Sequence, residues 1–408
     1  MSIRSRIVYV DSTGEWLGGA EVSLYDLMMN IDRNQFEPIL VVPFWGEFAN
    51  TVASQGIQVI NLKANKFPSF SFHILGQKVY NPLALCYFVM QIVILSYRLR
   101  RVLDSIEKPL IVHGNSFSAN FFGAIACWRK RLPFIAHLRD LGPRKGLSAW
   151  IYVTLTRLIP IRSAIKTISI SGAVARRFGL QENITLTIHN PIALGKVGNR
   201  HFIKAKPEKP SQKTPEKGGS FTIGLVGRIL PWKGHLTALR ILYEVRRLTE
   251  RRVVLVFIGD LGTADQSYLA HIYRTIEKLQ LRDSVFFWGF RRALDEIYPK
   301  LDVLIVPSEE EPLGRVVLEG MAYGIPVVAT DKGGPAEIIE DGVDGFLVSP
   351  DDVQRWAERI IELLENPALA SEIGKRGREK ILSKYSLEAY IGAIESLYKE
   401  ILATWEWK

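Results

Sequence analysis

The chain has 408 residues, 47% of them hydrophobic and 10% aromatic, which indicates a globular protein with more than one core and therefore two domains. The formal net charge is +10, but no nucleic-acid-binding motif accompanies it, which disfavours DNA or RNA as the partner. Cys86 and Cys127 lie in apolar runs without a CxxC spacing and are expected to be buried, unpaired thiols. The apolar run Ile7–Val10 is too short for a signal-peptide core, which argues for a cytoplasmic protein.

The first half of the chain alternates short apolar runs with longer helical patterns. Runs that are continuously apolar and β-branched are typical of parallel strands covered on both faces. Seven such runs occur in order: RIVYVDS, PILVVP, IQVINLK, PLIVHGN, PFIAHLRD, IKTISIS and ITLTIHN. They predict the parallel sheet of a doubly wound α/β domain.

One helical pattern in this half, over residues 83–97, contains no charged residue and is followed by Arg98, Arg100 and Arg101. It is shorter than the roughly 20 residues of a spanning helix, so a core helix is the favoured interpretation. The alternative is a helix that touches an anionic membrane surface, with these arginines and the WRKR run at 128–131 facing lipid phosphates.

The pattern breaks at residues 195–220, a stretch rich in Lys, Pro and Gly that predicts a basic linker. Residues 1–194 carry 21 Lys and Arg against 11 Asp and Glu, whereas residues 221–408 carry 24 against 29. A basic first half fits an anionic membrane surface or a phosphorylated substrate. We therefore expect an N-terminal domain at 1–194 and a C-terminal domain at 221–385.

The second domain contains six further strand-like runs: FTIGLVGRI, VVLVFIGD, SVFFWGF, DVLIVPS, PVVATD and GFLVSP. The first of these runs leads into VGRILPWKG, residues 226–234. There Arg228 and Lys233 follow Gly227 at a strand end and precede a helical pattern. Two cations beside a helix N-terminus suit a diphosphate, since they can neutralise the charge of a leaving group without a metal. Because ligands of such sheets bind at the carboxyl ends of strands, two facing sheets predict a ligand in the cleft between them.

Four carboxylates mark the stretch SEEEPLGRVVLEG. Glu311 lies in the predicted turn after a strand, and Glu319 lies about two turns into the next helix, where it can point to the same mouth. Carboxylates accept hydrogen bonds from sugar and ribose hydroxyls. The amides of residues 313–316 at the helix start can donate to a sugar or phosphate. For Glu309 and Glu310 the favoured interpretation is that they complement the helix dipole.

The run GRILPWKG, followed about eighty residues later by PSEEEPLGRVVLEGMAYGIPVVATDKGGPAEIIEDGVDGFLV, resembles glycosyltransferase family 4, the retaining GT-B enzymes. The second stretch has the E-x7-E spacing of that family. GGAE at 18–21, PLIVHGN, PFIAHLRD and TIHNP agree with it, so the resemblance covers nearly the whole chain except the linker. It implies two Rossmann-like domains facing across a cleft, with the C-terminal helix, 386–408, packing back on the first.

The resemblance also implies roles for individual residues. Arg228 and Lys233 hold the donor diphosphate, Glu319 binds the ribose hydroxyls, and Glu311 contacts the donor hexose. Further donor-binding positions are Leu313, Gly314, Arg315, Val316, Gly227, Phe290 and Arg291, the last two near the base. Gly18 and Gly19 allow close approach of the backbone to the phosphates or acceptor, and His137 lines the donor-sugar site. Glu21 and Asn190 lie on the acceptor side, although Pro191 replaces the glycine that often follows the asparagine.

The implied activity is transfer of a hexose, with retention, from a UDP- or GDP-sugar to a saccharide or lipid-linked acceptor in cell-envelope or exopolysaccharide synthesis, with no metal required. The basic N-terminal half suggests an acceptor that is anionic or membrane-held, and a peripheral place on the inner face of the membrane. Two alternatives stay open: a non-catalytic GT-B module, and another enzyme on two Rossmann-like domains, such as a nucleotide-sugar epimerase or a dehydrogenase. Absence of GxGxxG after any strand counts against a nicotinamide cofactor.

Overall fold

The computed structural model describes residues 4–16, 18–64, 71–74, 77–80, 82–128, 131–181, 185–192, 219–262, 264–291 and 294–406; at 71–74, 77–80 and 82–85 it describes the backbone alone. The chain forms two compact units, one of Met1–Asn190 with Leu387–Lys408 and one of Pro191–Ser386. Residues 195–218 of the predicted linker lie outside the described residues.

The first unit is built on a parallel sheet of seven strands, the seven that the apolar runs predict. They are β1 (Ser5–Val10), β2 (Phe36–Val42), β3 (Gln58–Asn61), β6 (Leu110–Gly114), β7 (Phe134–Leu138), β8 (Lys166–Ser169) and β9 (Thr185–Thr187). Their order in the sheet is β3-β2-β1-β6-β7-β8-β9. An antiparallel hairpin of β4 (Ser71–Ile74) and β5 (Gln77–Tyr80) lies between β3 and β6 in sequence and was not predicted.

Six helices of this unit connect the strands. They are α1 (Gly19–Asn30), α2 (Glu47–Ser54), α3 (Pro82–Ser105), α4 (Phe117–Trp128), α5 (Gly146–Thr156), which continues into a π-helical segment (Arg157–Ile161), and α6 (Gly172–Arg177). In α3, Ile92 and Leu95 are buried in the core while Val93 is exposed, so the core interpretation holds for one face of this helix. Cys127 is buried as expected, but Cys86 is exposed, because it lies on the outer face of α3.

The second unit contains a parallel sheet of six strands, again those that the apolar runs predict. They are β10 (Phe221–Val226), β11 (Val253–Ile258), β12 (Val285–Phe287), β13 (Val303–Val306), β14 (Val327–Thr330) and β15 (Phe346–Val348), in the order β12-β11-β10-β13-β14-β15. Its helices are α7 (His235–Leu248), α8 (Gln266–Lys278), α9 (Arg315–Ala322), α10 (Pro335–Ile338), α11 (Val353–Glu365) and α12 (Pro367–Lys384). The core contains fully buried Phe257 and Trp356.

The last helix, α13 (Leu387–Thr404), belongs to the first unit. Its buried Tyr398 hydroxyl lies 2.5 Å from Nδ1 of His113 on β6 and 3.3 Å from the hydroxyl of Tyr9 on β1. Glu395 accepts a hydrogen bond from the amide of Asp32 at 2.7 Å. These contacts fix α13 against the sheet through polar groups as well as apolar packing. Within the described residues, no helix is both long and apolar enough to cross a membrane.

Candidate functional site

The loop after β10 carries the two predicted cations. It turns at Gly227, forms a single 3-10 turn at Pro231–Lys233, and enters α7 through Gly234, whose φ is 80°. A Cβ on Gly234 would lie 2.0 Å from the carbonyl oxygen of Pro307, so only glycine allows this loop to approach the end of β13 so closely. The amide of Glu309 donates to the carbonyl of Trp232 at 2.9 Å and joins the two loops directly.

This approach brings Lys233 and Glu311 together. Lys233 Nζ lies 2.7 Å from Glu311 Oε1, and the hydroxyl of Ser308 donates to the same oxygen at 2.7 Å. The Glu311 side chain is 5% exposed and that of Lys233 is 15% exposed. Lys233 also lies over the Trp232 ring, 4.4 Å from its centroid. The ammonium has three donors and Glu311 uses one, so further donors are available to an anion.

A pair of glycines holds the turn that contains Glu311. Gly333 has a φ of 82°, and a Cβ there would lie 2.1 Å from the carbonyl oxygen of Glu311. A Cβ on Gly334 would lie 2.3 Å from the carbonyl oxygen of Leu313. The Gly334 amide donates to the carbonyl oxygen of Glu311 at 2.9 Å. The GG of the sequence motif therefore has a structural function: it lets the loop after β14 pack directly on the carboxylate-bearing turn.

The N-terminus of α9 presents donors beside this turn. Gly314 precedes the helix with a φ of 87°, and its carbonyl accepts from the amides of Val317 and Leu318. The structure records no acceptor within the described residues for the amides of positions 313–316. Such amides suit a phosphate or a sugar oxygen.

Glu319, in the second turn of α9, is held by two protein groups. Arg315 Nε donates to Oε1 at 2.9 Å, and the Tyr298 hydroxyl donates to Oε2 at 2.7 Å. Burial, with the carboxylate adding to it, raises the pKa of Tyr298 well above its usual range, so the hydroxyl stays a donor. The carboxylate is fixed in position and each oxygen can still accept a hydroxyl.

The other predicted donor-binding residues lie at the same edge of the sheet. Arg228 follows Gly227 and is exposed. Phe290 and Arg291 follow β12 and are half-buried. Since β12 is three positions from β13 in the sheet, they lie about 14 Å along it from the Glu311 turn, by the usual strand spacing. The structure does not bring them into contact with Lys233 or Glu319.

In the first unit, the residues after β1 form a buried acidic site. Asp11 accepts from Asn115 Nδ2 and Ser116 Oγ, both at 2.9 Å, yet burial still raises its pKa. Glu21 accepts from the Gly18 amide at 2.8 Å, and burial together with nearby Asp11 raises its pKa to about 8. A Cβ on Gly18 would meet nothing within 4 Å, so protein packing does not require this glycine.

His137, at the end of β7, is fully buried. Its Nδ1 lies 3.0 Å from Nε2 of His113, whose Nδ1 contacts Tyr398, so a three-residue network runs across the sheet to α13. Burial and the positive charge of Arg139 lower the pKa of His113 to about 3 and that of His137 well below its usual value. Both imidazoles are therefore neutral. His137 Nε2 has no hydrogen-bond partner within the described part of the chain.

Asn190 contacts a cation that the sequence analysis did not single out. Its Oδ1 accepts from Arg139 Nη1 at 2.7 Å, and Arg139 Nη2 lies 3.4 Å from the hydroxyl of Tyr390 on α13. Arg139 comes two residues after His137, directly after the end of β7. A cation at the carboxyl end of a strand is the sequence feature that could have marked it as a site residue. No pattern in the sequence around Tyr298 indicates that its hydroxyl binds Glu319. Within the described ranges, no cluster of three His, Cys, Asp or Glu could hold a metal ion.

Comparison with known families now identifies the chain. The family described as "Glycosyltransferase Family 4" matches residues 17–196, and "Glycosyl transferases group 1" matches residues 207–380. The chain belongs to glycosyltransferase family 4. The two matches together leave out only the chain ends and ten residues within 195–220, so the resemblance seen in the sequence is confirmed.

Individual relatives agree with this family. N-acetyl-α-D-glucosaminyl L-malate synthase of Bacillus anthracis is 30% identical over 38% of this chain, and the match spans only 39% of that relative's length. The capsular polysaccharide biosynthesis glycosyltransferase CapM of Staphylococcus aureus is 26% identical over 74% of this chain and 80% of its own. The structure of Anabaena HepE in complex with UDP and glucose superposes with a TM-score of 0.74 at 22% identity, over 97% of this chain and 100% of that one. This likeness confirms the predicted α/β fold of the GT-B family 4 proteins.

Proposed function

We propose that the chain is a retaining hexosyltransferase that moves a hexose from a UDP- or GDP-sugar to a saccharide or lipid-linked acceptor in cell-envelope polysaccharide synthesis. The observation that carries the proposal is the cluster formed by Lys233, Glu311 and the α9 amides at the carboxyl ends of β10 and β13. The family membership supports transfer of a sugar. A relative crystallised with UDP and glucose supports a nucleotide-sugar donor, and CapM supports polysaccharide as the product.

In this proposal the second unit holds the donor. Lys233 and Arg228 bind the diphosphate together with the amides of α9, and Glu319 accepts from the ribose hydroxyls. Lys233 and Ser308 both donate to Glu311 Oε1, and no group among the described residues donates to Oε2. Oε2 can therefore accept from a hexose hydroxyl. Leu313, Gly314, Arg315 and Val316 line the sugar, Gly227 lies beside the phosphates, and Phe290 and Arg291 border the base.

The proposed transfer uses positioning and charge rather than a strong base. The bond from the hexose anomeric carbon to the diphosphate oxygen breaks, and its electron pair leaves with the diphosphate. The acceptor oxygen bonds to that carbon from the same face, and its proton passes to the departing diphosphate. Lys233 and Arg228 neutralise the charge that develops on the leaving group, a task for which two cations need no metal.

We further propose that the first unit binds the acceptor, with Glu21 and Asn190 on that side. The backbone at Gly18 and Gly19 approaches the donor phosphates or the acceptor, and His137 is a neutral hydrogen-bonding group for the donor sugar. The excess of Lys and Arg over residues 1–194 favours an acceptor that is anionic or held in a membrane, such as a polyprenyl-diphosphate-linked saccharide or a lipopolysaccharide core. The chain then acts in the cytoplasm, at the inner face of the membrane.

The test is a panel of UDP-, GDP- and ADP-sugars, read by thermal shift and by slow release of nucleoside diphosphate. One donor should stabilise the protein and be hydrolysed, and Lys233→Ala should abolish both effects. Lys375→Ala, an exposed lysine of α12, is the matched control and should change neither. Binding without release, even after addition of lipid-linked acceptors, would instead identify a non-catalytic module.

A further inference from the structure

Exposed apolar side chains are concentrated on one part of the first unit. Sixteen large hydrophobic residues are exposed in the described chain, and ten of them lie on α3, α4, α5 and the π-helical segment after α5. Scattered exposed apolar residues are ordinary, but a concentration on adjacent helices indicates a contact surface.

The clearest part is a stripe along α5 and its π-helical extension. Leu147, Trp150, Ile151, Leu155 and Leu158 follow one another at spacings of three, one, four and three, which places them on one face of a helix. Leu147 is 72% exposed and Trp150 is 66% exposed. The opposite face contains the buried Ala149 and Thr156, so α5 packs on the unit through its other side.

A second apolar stripe lies on α3, and an aromatic stack links the two helices. Val89, Met90, Val93 and Tyr97 are exposed along α3. On the same helix Phe88 lies 6.4 Å from the ring of Phe117 on α4, and that ring stacks at 4.2 Å on Tyr152 of α5. Phe88, Phe117 and Ile159 all pack on one core cluster, so both helices cover the same face of the sheet.

Cations surround the α5 stripe. Residues 139–180 contain eight Lys and Arg and a single acidic residue, Asp140. Of these cations, Arg139 is buried against Asn190 and Lys166 pairs with Glu400, so neither belongs to the exposed surface. Lys145, Arg157 and Arg162 flank the stripe and are exposed. On α3, Arg101 is exposed, whereas Arg98 donates to the carbonyls of Leu62 and Lys63 and is partly committed to the protein.

We propose that these residues form a docking surface for an anionic phospholipid bilayer. The surface, here the α3–α5 surface, consists of Val89, Met90, Val93, Tyr97, Leu147, Trp150, Ile151, Leu155 and Leu158. The helices lie in the plane of the interface, the apolar side chains enter the headgroup region, and Lys145, Arg157 and Arg162 meet lipid phosphates. This inference deepens the proposed function and rests on it for a membrane-held acceptor.

The experiment measures flotation of the purified full chain with vesicles. Vesicles of phosphatidylcholine with 30% phosphatidylglycerol should bind it, pure phosphatidylcholine should bind at least tenfold less, and 0.5 M NaCl should release it. The double variant Trp150→Ser, Leu155→Ser should lower binding at least tenfold. The double variant Arg157→Gln, Arg162→Gln should do the same for the anionic vesicles only.

Matched controls lie on the second unit. Tyr243→Ser with Leu248→Ser removes an exposed aromatic and an exposed leucine from α7, and Arg282→Gln with Arg355→Gln removes two exposed cations; neither pair should affect flotation. The thermal shift with the sugar nucleotide that the panel selects should persist in every variant, so donor binding is read separately from lipid binding. Equal binding by wild type and the Trp150, Leu155 variant would overturn the proposal. So would a dimer in sedimentation that this variant dissociates, since the surface would then join two copies of the chain.

Discussion

Lys233 and Glu311 lie 78 positions apart in the chain, yet their largely buried side chains form an ion pair of 2.7 Å. Each residue follows a central strand, and β10 and β13 are neighbours in the sheet. The pair therefore marks the point where two loops meet at the carboxyl edge. It leaves ammonium donors and a carboxylate oxygen for a ligand, which suits the sugar diphosphate that we propose as donor.

Replacing Lys233 should reduce both stability and donor binding. In Lys233→Ala the Glu311 carboxylate keeps only the Ser308 donor, and we expect the free energy of unfolding to fall by about 2 kcal/mol. Affinity for the UDP- or GDP-sugar should fall at least tenfold, while Lys233→Arg, which keeps the charge, should lose less. Urea unfolding and calorimetric titration check these two results. A Lys233→Ala protein that binds the donor as tightly as wild type would contradict the proposed role.

Features that depend on neighbouring residues in the sequence were predictable, whereas contacts between residues far apart in the sequence were not. All thirteen strands of the two sheets were predicted, because buried parallel strands are continuous apolar runs. The strands β4 (SFHI) and β5 (QKVY) were missed, since polar residues interrupt both sequences and leave no continuous apolar run. Glu311 and Glu319 were found through a motif, but their partners Ser308 and Tyr298 were not, because an ordinary serine or tyrosine gains its role only from the fold.

Close packing under the Glu311 turn predicts a large effect of a single methyl group. Gly333→Ala would bring a Cβ to within 2.1 Å of Glu311 O, so the turn must move and the Lys233 contact should be lost. We expect a loss of about 3 kcal/mol in the free energy of unfolding, together with loss of donor binding.

Gly342 provides the matched control for this effect. Its φ of 77° is close to the 82° of Gly333, but a Cβ there would meet nothing within 4 Å. Gly342→Ala should therefore cost only the backbone strain, about 1 kcal/mol, and leave donor binding intact. Equal effects of the two substitutions would show that backbone conformation, and not contact with Glu311, sets the cost at Gly333.

The Tyr298 hydroxyl predicts a measurable positioning effect on Glu319. Tyr298→Phe removes the donor to Oε2 and keeps Arg315 on Oε1, so the carboxylate stays in place but gains freedom. We expect a loss of about 1.5 kcal/mol in stability and a severalfold weaker affinity for the nucleotide. Glu319→Ala should weaken nucleotide binding more than Tyr298→Phe, because it removes the group proposed to accept from the ribose. If the ranking is reversed, Glu319 does not contact the nucleotide.

The Glu21 carboxyl predicts an unusual dependence of stability on pH. Its pKa rises from an ordinary 4.5 to about 8 in the folded chain, so between these values the folded state holds a proton that the unfolded state has lost. The free energy of unfolding must then fall as pH rises through this range. Buried His113, His137 and His235 act in the opposite direction, since burial lowers their pKa values below 6.5, to about 3 for His113 and about 4 for His235, and their effect ends near pH 6.5. Burial also raises the pKa of neighbouring Asp11, which acts in the same direction as Glu21.

Between pH 6.5 and 8, therefore, the histidines no longer contribute a gain. The loss of stability due to Glu21 should amount to about 2 kcal/mol, from about 1.4 kcal/mol for each pH unit. Glu21→Gln, whose amide oxygen can still accept from the Gly18 amide, should lose most of this slope and be more stable than wild type at pH 8. Glu358→Gln, at a surface ion pair, should keep the wild-type slope. Urea titrations at three pH values measure the slopes. Equal slopes for Glu21→Gln and wild type would mean that Glu21 does not hold the extra proton of the folded state over this window.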